Sequence, residues 1–133
     1  MVYIANNPKT FVGKSVGNGQ CVAFARAAAN IPHTLSWKRG QLVKGNLGIR
    51  AGTAIATFDP SGQYGNHTDG GSHVAIYLGQ DAIGIRVLDQ WVSHKRNGTG
   101  KSVAVPQPVH ERVIFFRHAP RPENDGSNYY VVE

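Results

Sequence analysis

Three residues of this chain could together form a cysteine nucleophile with its base: a thiol, an imidazole and a carboxylate. Cys21 is the single cysteine of the 133 residues. It follows the glycine-rich segment 17–20 and opens an alanine-rich stretch, so we expect it at the first turn of a helix. There the unpaired backbone N–H groups and the positive end of the helix dipole favour thiolate over thiol. This placement predicts a reactive cysteine.

A β-hairpin predicted over residues 73–91 supplies the imidazole and the carboxylate. Closure through a loop at residues 79–83 places His73 opposite Asp89, on the same face of the sheet. A loop shorter by one residue brings Gln90 opposite His73 instead, on the other face. Either side chain can hold the imidazole by a hydrogen bond, and an ionised Asp89 stabilises an imidazolium more strongly.

These groups predict nucleophilic catalysis of amide cleavage. His73 takes the thiol proton of Cys21 and later gives it to the leaving amine, while Asp89 fixes the orientation of the ring. The backbone N–H of Cys21 contributes to an oxyanion hole, whose second donor stays open between Asn18 and Gln20. The alternative interpretation of the same residues is an inert buried cysteine with a surface histidine.

The composition indicates one globular domain, with 41% hydrophobic and 17% charged residues. One cysteine excludes an internal disulfide, and the six histidines lack HxH or HxxxH spacing, so we expect no metal and no cofactor. The first residues lack a basic start followed by a long apolar run, which predicts no signal peptide. No stretch reaches the ~20 apolar residues of a membrane helix, so we expect no membrane insertion.

Positive charge is concentrated in the first half of the chain, within a net charge of +6. Residues 1–58 hold seven Lys or Arg and no acid. This imbalance favours an anionic partner such as a nucleic acid, an anionic membrane surface or the bacterial cell wall, unless it only solvates the surface. The chain lacks a recognition helix rich in Arg and Lys and a strand of stacking aromatics, so we expect no nucleic-acid binding.

The predicted fold class is α+β, with one helix packed on an antiparallel sheet of about four or five strands. The helix spans 21–29 and is ended by the residues before Pro32. Residues 1–120 form the catalytic domain, and the tail 121–133 is either frayed or an edge strand. Strands are expected at 53–58, 73–78, 85–91 and 113–117, a short helix with turns at 33–50, and loops at 59–72 and 92–108.

Several segments resemble the CHAP and NlpC-type cysteine peptidases and amidases: GNGQCVAFA at 17–25, Trp37 with Gly40, GTAIA at 52–56, GSHVAIY at 71–77 and VLDQW at 87–91. This resemblance implies a papain-like fold that cuts the peptide part of bacterial peptidoglycan. The family order of cysteine, histidine and a polar residue maps onto Cys21, His73 and Asp89. NlpC-type enzymes usually carry a second histidine as the third residue, where this chain offers Asp89 or Gln90.

The compact chain further resembles the small amidase effectors of type VI secretion systems; phage lysins share the same domain. The resemblance implies peptidoglycan stem peptides as substrate, a cognate immunity protein as partner, and a monomer. It also implies synthesis in the cytoplasm and export without the Sec pathway into a rival's periplasm. Trp37, His67 and Trp91 are candidate substrate contacts, with core packing the alternative for both tryptophans. A non-catalytic binding module on the same scaffold, for wall fragments or a partner protein, is the competing hypothesis.

Overall fold

The computed structural model describes residues 2–67 and 71–133, so positions 68–70 of the predicted loop 59–72 lie outside the described residues. The described part contains one α-helix, six β-strands and short 3-10 helices. The helix and strands are α1 (Cys21–Ala29), β1 (Arg39–Leu42), β2 (Ala54–Thr57), β3 (Val74–Gln80), β4 (Gly84–Arg96), β5 (Ser102–Phe115) and β6 (Tyr129–Val132). The 3-10 helices are Pro8–Phe11, Thr34–Ser36, Pro122–Asn124 and Gly126–Asn128. The α+β class is therefore confirmed.

The six strands of the described residues form one antiparallel sheet in the order β1-β6-β2-β3-β4-β5. The prediction of four or five strands missed β1, which lies within the segment expected to hold only a helix and turns. The tail does not lie at an edge, because β6 pairs with both β1 and β2. Tyr129 and Val131 are buried in the sheet, which explains why this segment docks rather than frays.

The predicted loop at 92–108 is mostly strand. β4 continues to Arg96 and β5 begins at Ser102, so the two strands form a long hairpin with its turn between them. Pro106 and Pro108 argued for a loop, since proline cannot donate to a sheet ladder. β5 is the edge of the sheet, where one side of the strand needs no partner, and Pro106 lies there opposite Val92.

The register of the β3–β4 hairpin differs by two residues from the predicted one. Tyr77 lies opposite Val87 rather than Ile85. The loop is shorter than expected because the Asp81 carboxylate accepts the backbone N–H groups of Ile83 and Gly84, and β3 carries a bulge beside Tyr77. Between the start of β3 and Tyr77 the shift is two residues, which keeps the side chains of this part on their predicted faces.

Helix α1 has the predicted bounds and ends at Asn30, whose backbone is left-handed with φ 54°. The helix packs against one face of β3 and β4. Its buried side chains are Phe24, Ala25 and Ala29, and the alanines let the helix approach the sheet closely. Phe24 also meets the ring of Phe11 edge-on, at 5.6 Å between centroids.

The sheet has an apolar cluster on each face, as the alternation along β3 requires. Val74 and Ile76 point into the cluster beneath α1, whereas Ala75 and Tyr77 point into the opposite cluster. Adjacent residues of β4 therefore also reach opposite faces, among them the polar pair Asp89 and Gln90. No helix among the described residues is long and apolar enough to cross a bilayer.

The close approach of β4 and β5 depends on a glycine at the start of β4. A Cβ added at Gly84 would lie 2.6 Å from the Ile114 carbonyl oxygen and 2.8 Å from Val113 Cγ1. We expect Gly84→Ala to lower the free energy of unfolding by about 1–3 kcal/mol in urea titrations, because the strands must separate. Gly98→Ala is the matched control, since a Cβ there meets open space. Equal stability of the two variants would contradict this account of the hairpin.

Candidate active site

A cleft of about 820 Å³ opens at the start of α1 and the ends of β3 and β4. Six of the residues singled out from the sequence line it: Asn18, Gln20, Cys21, His67, His73 and Trp91. The other three lie elsewhere: Asp89 is buried behind the imidazole, Gln90 is on the helix side of the sheet, and Trp37 is in the core.

Cys21 and His73 line the same cleft, and the charge of each acts on the pKa of the other. Cys21 is the first residue of α1 and is half-buried, while His73 is buried directly before β3. The backbone N–H of His73 donates to the Thr57 hydroxyl at 3.0 Å, which fixes the start of the strand. The candidate nucleophile and the candidate base therefore come from α1 and the start of β3, which are packed against each other.

Burial disfavours the Cys21 thiolate, but the positive charge and hydrogen bond of His73 outweigh it. The Val74 backbone N–H and the Tyr64 hydroxyl add to the effect, so the pKa of Cys21 lies below its ordinary value. Burial likewise disfavours the His73 imidazolium, yet the Cys21 thiolate and the Asp89 carboxylate raise the pKa of His73 well above its ordinary value. The favoured state is a thiolate–imidazolium ion pair.

Asp89 holds the far side of the imidazole. His73 Nε2 lies 2.6 Å from Asp89 Oδ2, so Nδ1 is the ring nitrogen left for the thiol. The sequence predicts that His73 and Asp89 lie directly opposite each other. They do not, because the register of Tyr77 with Val87 places Asp89 opposite Ala75. The contact is diagonal and on the predicted face, within the reach of an imidazole and a carboxylate.

Arg112 on β5 is a partner of Asp89 that the sequence analysis missed. Its Nε lies 3.0 Å from Oδ1 and 2.9 Å from Oδ2, and its Nη2 lies 2.7 Å from Oδ2. Burial works against the charged carboxylate, but hydrogen bonds and charges of His73 and Arg112 hold the pKa of Asp89 below its ordinary value. The sequence contains a signal for this contact, because Arg112 lies two residues before Ile114 and therefore on the same buried face of the strand. An arginine on a buried face is expected to pair with an acid.

Tyr64 is the second residue that sequence reasoning missed. Its hydroxyl lies 3.8 Å from Cys21 Sγ, and its ring packs on Trp37 at 4.7 Å between centroids. Burial and the neighbouring thiolate raise the pKa of Tyr64, so the hydroxyl keeps its proton and acts as a donor. An isolated aromatic residue within the polar segment 59–67 was the available signal.

Gln90 anchors the glycine-rich segment that precedes Cys21. Its amide oxygen accepts the Val16 N–H at 2.8 Å, and its amide nitrogen donates to the carbonyls of Val16 and Gln20 at 2.9 and 2.7 Å. Gln90 therefore lies on the face opposite Asp89 and makes these contacts rather than one to the imidazole. Asn18 is also engaged, because its Oδ1 accepts the Gln20 N–H at 3.0 Å.

The three predicted substrate contacts have different surroundings. Trp37 is buried, donates from its indole N–H to the Pro32 carbonyl, and does not line the cleft. His67 lines the cleft and lies 3.2 Å from an Asp59 oxygen. Trp91 also lines the cleft, so it and His67 remain candidates for contact with substrate.

No group of three or more His, Cys, Asp or Glu side chains among residues 2–67 and 71–133 is arranged to hold a metal ion. What the arrangement can do is nucleophilic attack by a thiolate, with a proton available on the adjacent ring.

We expect iodoacetamide to alkylate Cys21 at pH 6–7, well below the ordinary thiol pKa of about 8.5. In His73→Ala the thiolate loses its imidazolium partner, so the midpoint of the rate–pH profile should move up toward that ordinary value. The measurement is the alkylation rate by intact-mass spectrometry, with His118→Ala, outside the cleft, as control. A wild-type midpoint near 8.5 would contradict the ion pair.

We expect Gln90→Ala to lower the free energy of unfolding by about 1–3 kcal/mol, because three backbone groups lose a buried partner. Gln107→Ala is the control, since Gln107 makes a single side-chain contact, to the Ser93 hydroxyl at 3.2 Å. Urea unfolding followed by tryptophan fluorescence compares the two. If both variants are equally stable, the anchoring role of Gln90 is wrong.

Comparison with known proteins places the chain among amidase effectors. The profile of the family described as Domesticated amidase effector 2 matches residues 1–132. A protein of Salmonella typhi named Type VI secretion amidase effector 2 protein is 42% identical, with all of both chains covered. Domesticated amidase effector 2 of Ixodes scapularis is 32% identical over 96% of this chain and 82% of its own length.

The fold has a counterpart of known structure. A solved structure named Type 6 secretion amidase effector 2 (Tae2) matches with a TM-score of 0.78 and 33% identity, covering 98% of this chain and 94% of that one. The resemblance to small type VI amidase effectors is thereby confirmed. The chain belongs to the Domesticated amidase effector 2 family and is, as the sequence predicts, an amidase.

Proposed function

We propose that this amidase hydrolyses an amide bond in the peptide part of bacterial peptidoglycan, with Cys21 as nucleophile, His73 as acid and base, and Asp89 as orienting residue. The observation that carries the mechanism is the position of the His73 imidazole, which lines the cleft together with Cys21 and lies 2.6 Å from the buried Asp89 carboxylate. The relatives' names support the amidase chemistry. The 820 Å³ cleft has room for a peptide substrate.

The first half of the reaction forms an acyl-enzyme. The Cys21 thiolate attacks the carbonyl carbon, and the C–S bond forms as the carbonyl π electrons move onto oxygen. When the tetrahedral intermediate collapses, the C–N bond breaks and the proton on His73 Nδ1 passes to the leaving amine. The products of this half are a Cys21 thioester, a free amine and a neutral imidazole.

The second half returns the enzyme to its starting state. Neutral His73 takes a proton from water as the water oxygen attacks the thioester carbonyl. Collapse of the second intermediate expels the Cys21 thiolate, and His73 keeps its proton, so the ion pair is restored. Asp89 is bonded to Nε2 throughout and keeps Nδ1 directed at the sulfur and the leaving group.

The oxyanion is received at the start of α1. The Cys21 backbone N–H is the first donor, because it belongs to the first turn of the helix, where N–H groups lack helical acceptors. Asn18 and Gln20 line the cleft beside it and are candidates for the second donor. The protonated Tyr64 hydroxyl joins them as a candidate, since it lies 3.8 Å from the sulfur.

We further propose that the fold is papain-like and of the CHAP or NlpC type. A cysteine at a helix start, a histidine opening a strand and an acid on the next strand follow the order of those families. Asp89 takes the third role rather than Gln90, because only Asp89 contacts the imidazole while Gln90 contacts the backbone of residues 16 and 20.

We propose that the protein is a monomeric interbacterial effector, delivered to a rival's periplasm by type VI secretion and neutralised in the producer by an immunity protein. The full-length match to the Salmonella typhi effector supports this role. The net charge of +6 favours approach to an anionic cell wall.

We expect Cys21→Ala to abolish muropeptide release from purified sacculi without unfolding the protein, because no other thiol can form the acyl-enzyme. Chromatography and mass spectrometry of the soluble fragments measure release and identify the amide that is cut. Ser36→Ala, an exposed position away from the cleft, is the control and should release fragments at the wild-type rate. Undiminished release by folded Cys21→Ala would overturn the proposal.

A further inference from the structure

We propose that Arg112 is a positioning residue of this site, which holds Asp89 in place and shares its negative charge with His73. The assignment rests on the proposed function, because it concerns the same acid and base. In this arrangement the Asp89 carboxylate orients His73, and Arg112 of β5 binds the same carboxylate.

The Arg112–Asp89 pair has a defined geometry. Asp89 is fully buried, and Arg112 approaches it with two nitrogens, Nε and Nη2, at 2.7–3.0 Å. Two parallel contacts fix a carboxylate in its plane, which one contact does not. Asp89 Oδ2 is shared, since it accepts from both His73 and Arg112. The orientation of Asp89 is therefore set jointly by the two cations.

Arg112 is itself held in place, by the pairing of its strand and by the ring of Trp91. Its backbone pairs with Val87, so its side chain is on the Asp89 face and diagonal to that residue. Its guanidinium lies over the Trp91 ring, 4.9 Å from the centroid, and Trp91 meets His110 at 4.9 Å between ring centroids. Only 25% of the Arg112 side chain is exposed. A guanidinium held in this way can keep the Asp89 carboxylate in a fixed position.

Asp89 and Arg112 have opposite effects on the charge of His73. The groups that act on the imidazole are Cys21 on α1, Asp89 on β4 and, through Asp89, Arg112 on β5. Tyr64 faces the thiol, and Tyr129 of β6 and Glu123 act on the guanidinium. Asp89 stabilises the imidazolium, whereas the positive charge of Arg112 weakens the attraction between Asp89 and the imidazolium. Without Arg112, the imidazolium would be held more tightly and would donate its proton to the leaving amine less readily.

The test compares Arg112→Gln with Arg112→Lys, and uses Arg117→Gln as control because Arg117 lies over the Phe115 ring outside the cleft. One readout is kcat and KM against pH on sacculus fragments. The other is the upper step in the rate of Cys21 alkylation with pH, where the imidazolium beside the thiolate loses its proton. The alkylation readout needs no amide substrate, so it tests Arg112 even if peptidoglycan is not cleaved.

For Arg112→Gln we expect kcat to fall about 10- to 100-fold with KM little changed, because the imidazole is less well aligned. The upper alkylation step should move up by about half a pH unit or more, since a positive charge is removed. Arg112→Lys should return the step toward wild type and recover kcat only in part, because lysine keeps the charge without the paired contacts.

A folded Arg112→Gln whose upper step stays or moves down would overturn the proposal, whatever happens to its activity. If Arg112→Gln does not fold, Arg112→Lys decides: a kcat reduced at constant KM supports positioning, and a wild-type kcat contradicts it. Circular dichroism and thermal unfolding of each variant establish which case applies.

Discussion

The site depends on one line of alternating charge that crosses four elements of the fold. The Cys21 thiolate on α1 is followed by the His73 imidazolium before β3, the Asp89 carboxylate on β4 and the Arg112 guanidinium on β5. Each charge is disfavoured by burial and stabilised by its neighbour. Removing one of these four side chains leaves a neighbouring buried charge unpaired. The stability of each charge therefore depends on the presence of the others.

The two faces of the sheet hold different parts of the candidate site. Asp89 and Gln90 are neighbours on β4 and therefore point to opposite faces. Asp89 contacts the imidazole of His73 on one face, and Gln90 binds the backbone of the segment before Cys21 on the other. A single strand thus contacts both His73 and the segment that precedes Cys21, and its antiparallel neighbour β5 supplies Arg112, the cation paired with Asp89.

The sequence predicts the elements that carry this site better than the strand register and the side-chain contacts that join them. The helix 21–29, the His73 strand and the side of the sheet that Asp89 occupies follow from local patterns, and the structure agrees with them. The exact register does not follow, because the Asp81 turn and a bulge beside Tyr77 together shift it by two residues. Gln90 was considered only as a partner for the imidazole, although its distant backbone contacts are its observed role.

The elements that the sequence leaves open, shortens or misses are those fixed by distant pairing. β1 and β6 pair with each other across most of the chain length, and β5 runs through two prolines because it lies at an edge. Arg112 and Tyr64 come to the site from segments far from Cys21 in sequence, so no local spacing connects them to it. Trp37 illustrates the reverse case, since a residue chosen for possible contact with substrate lies in the core.

The central claim is that His73 is an imidazolium paired with a thiolate in the resting enzyme. Nitrogen-15 NMR of the histidine-labelled protein at pH 7 tests it most directly, because the ring nitrogens report their own protonation. The account predicts that both nitrogens of His73 carry protons in the wild type and that the pKa of His73 falls in Cys21→Ala, where the thiolate is absent. A neutral His73 ring with one protonated nitrogen in the wild type at pH 7 would contradict it.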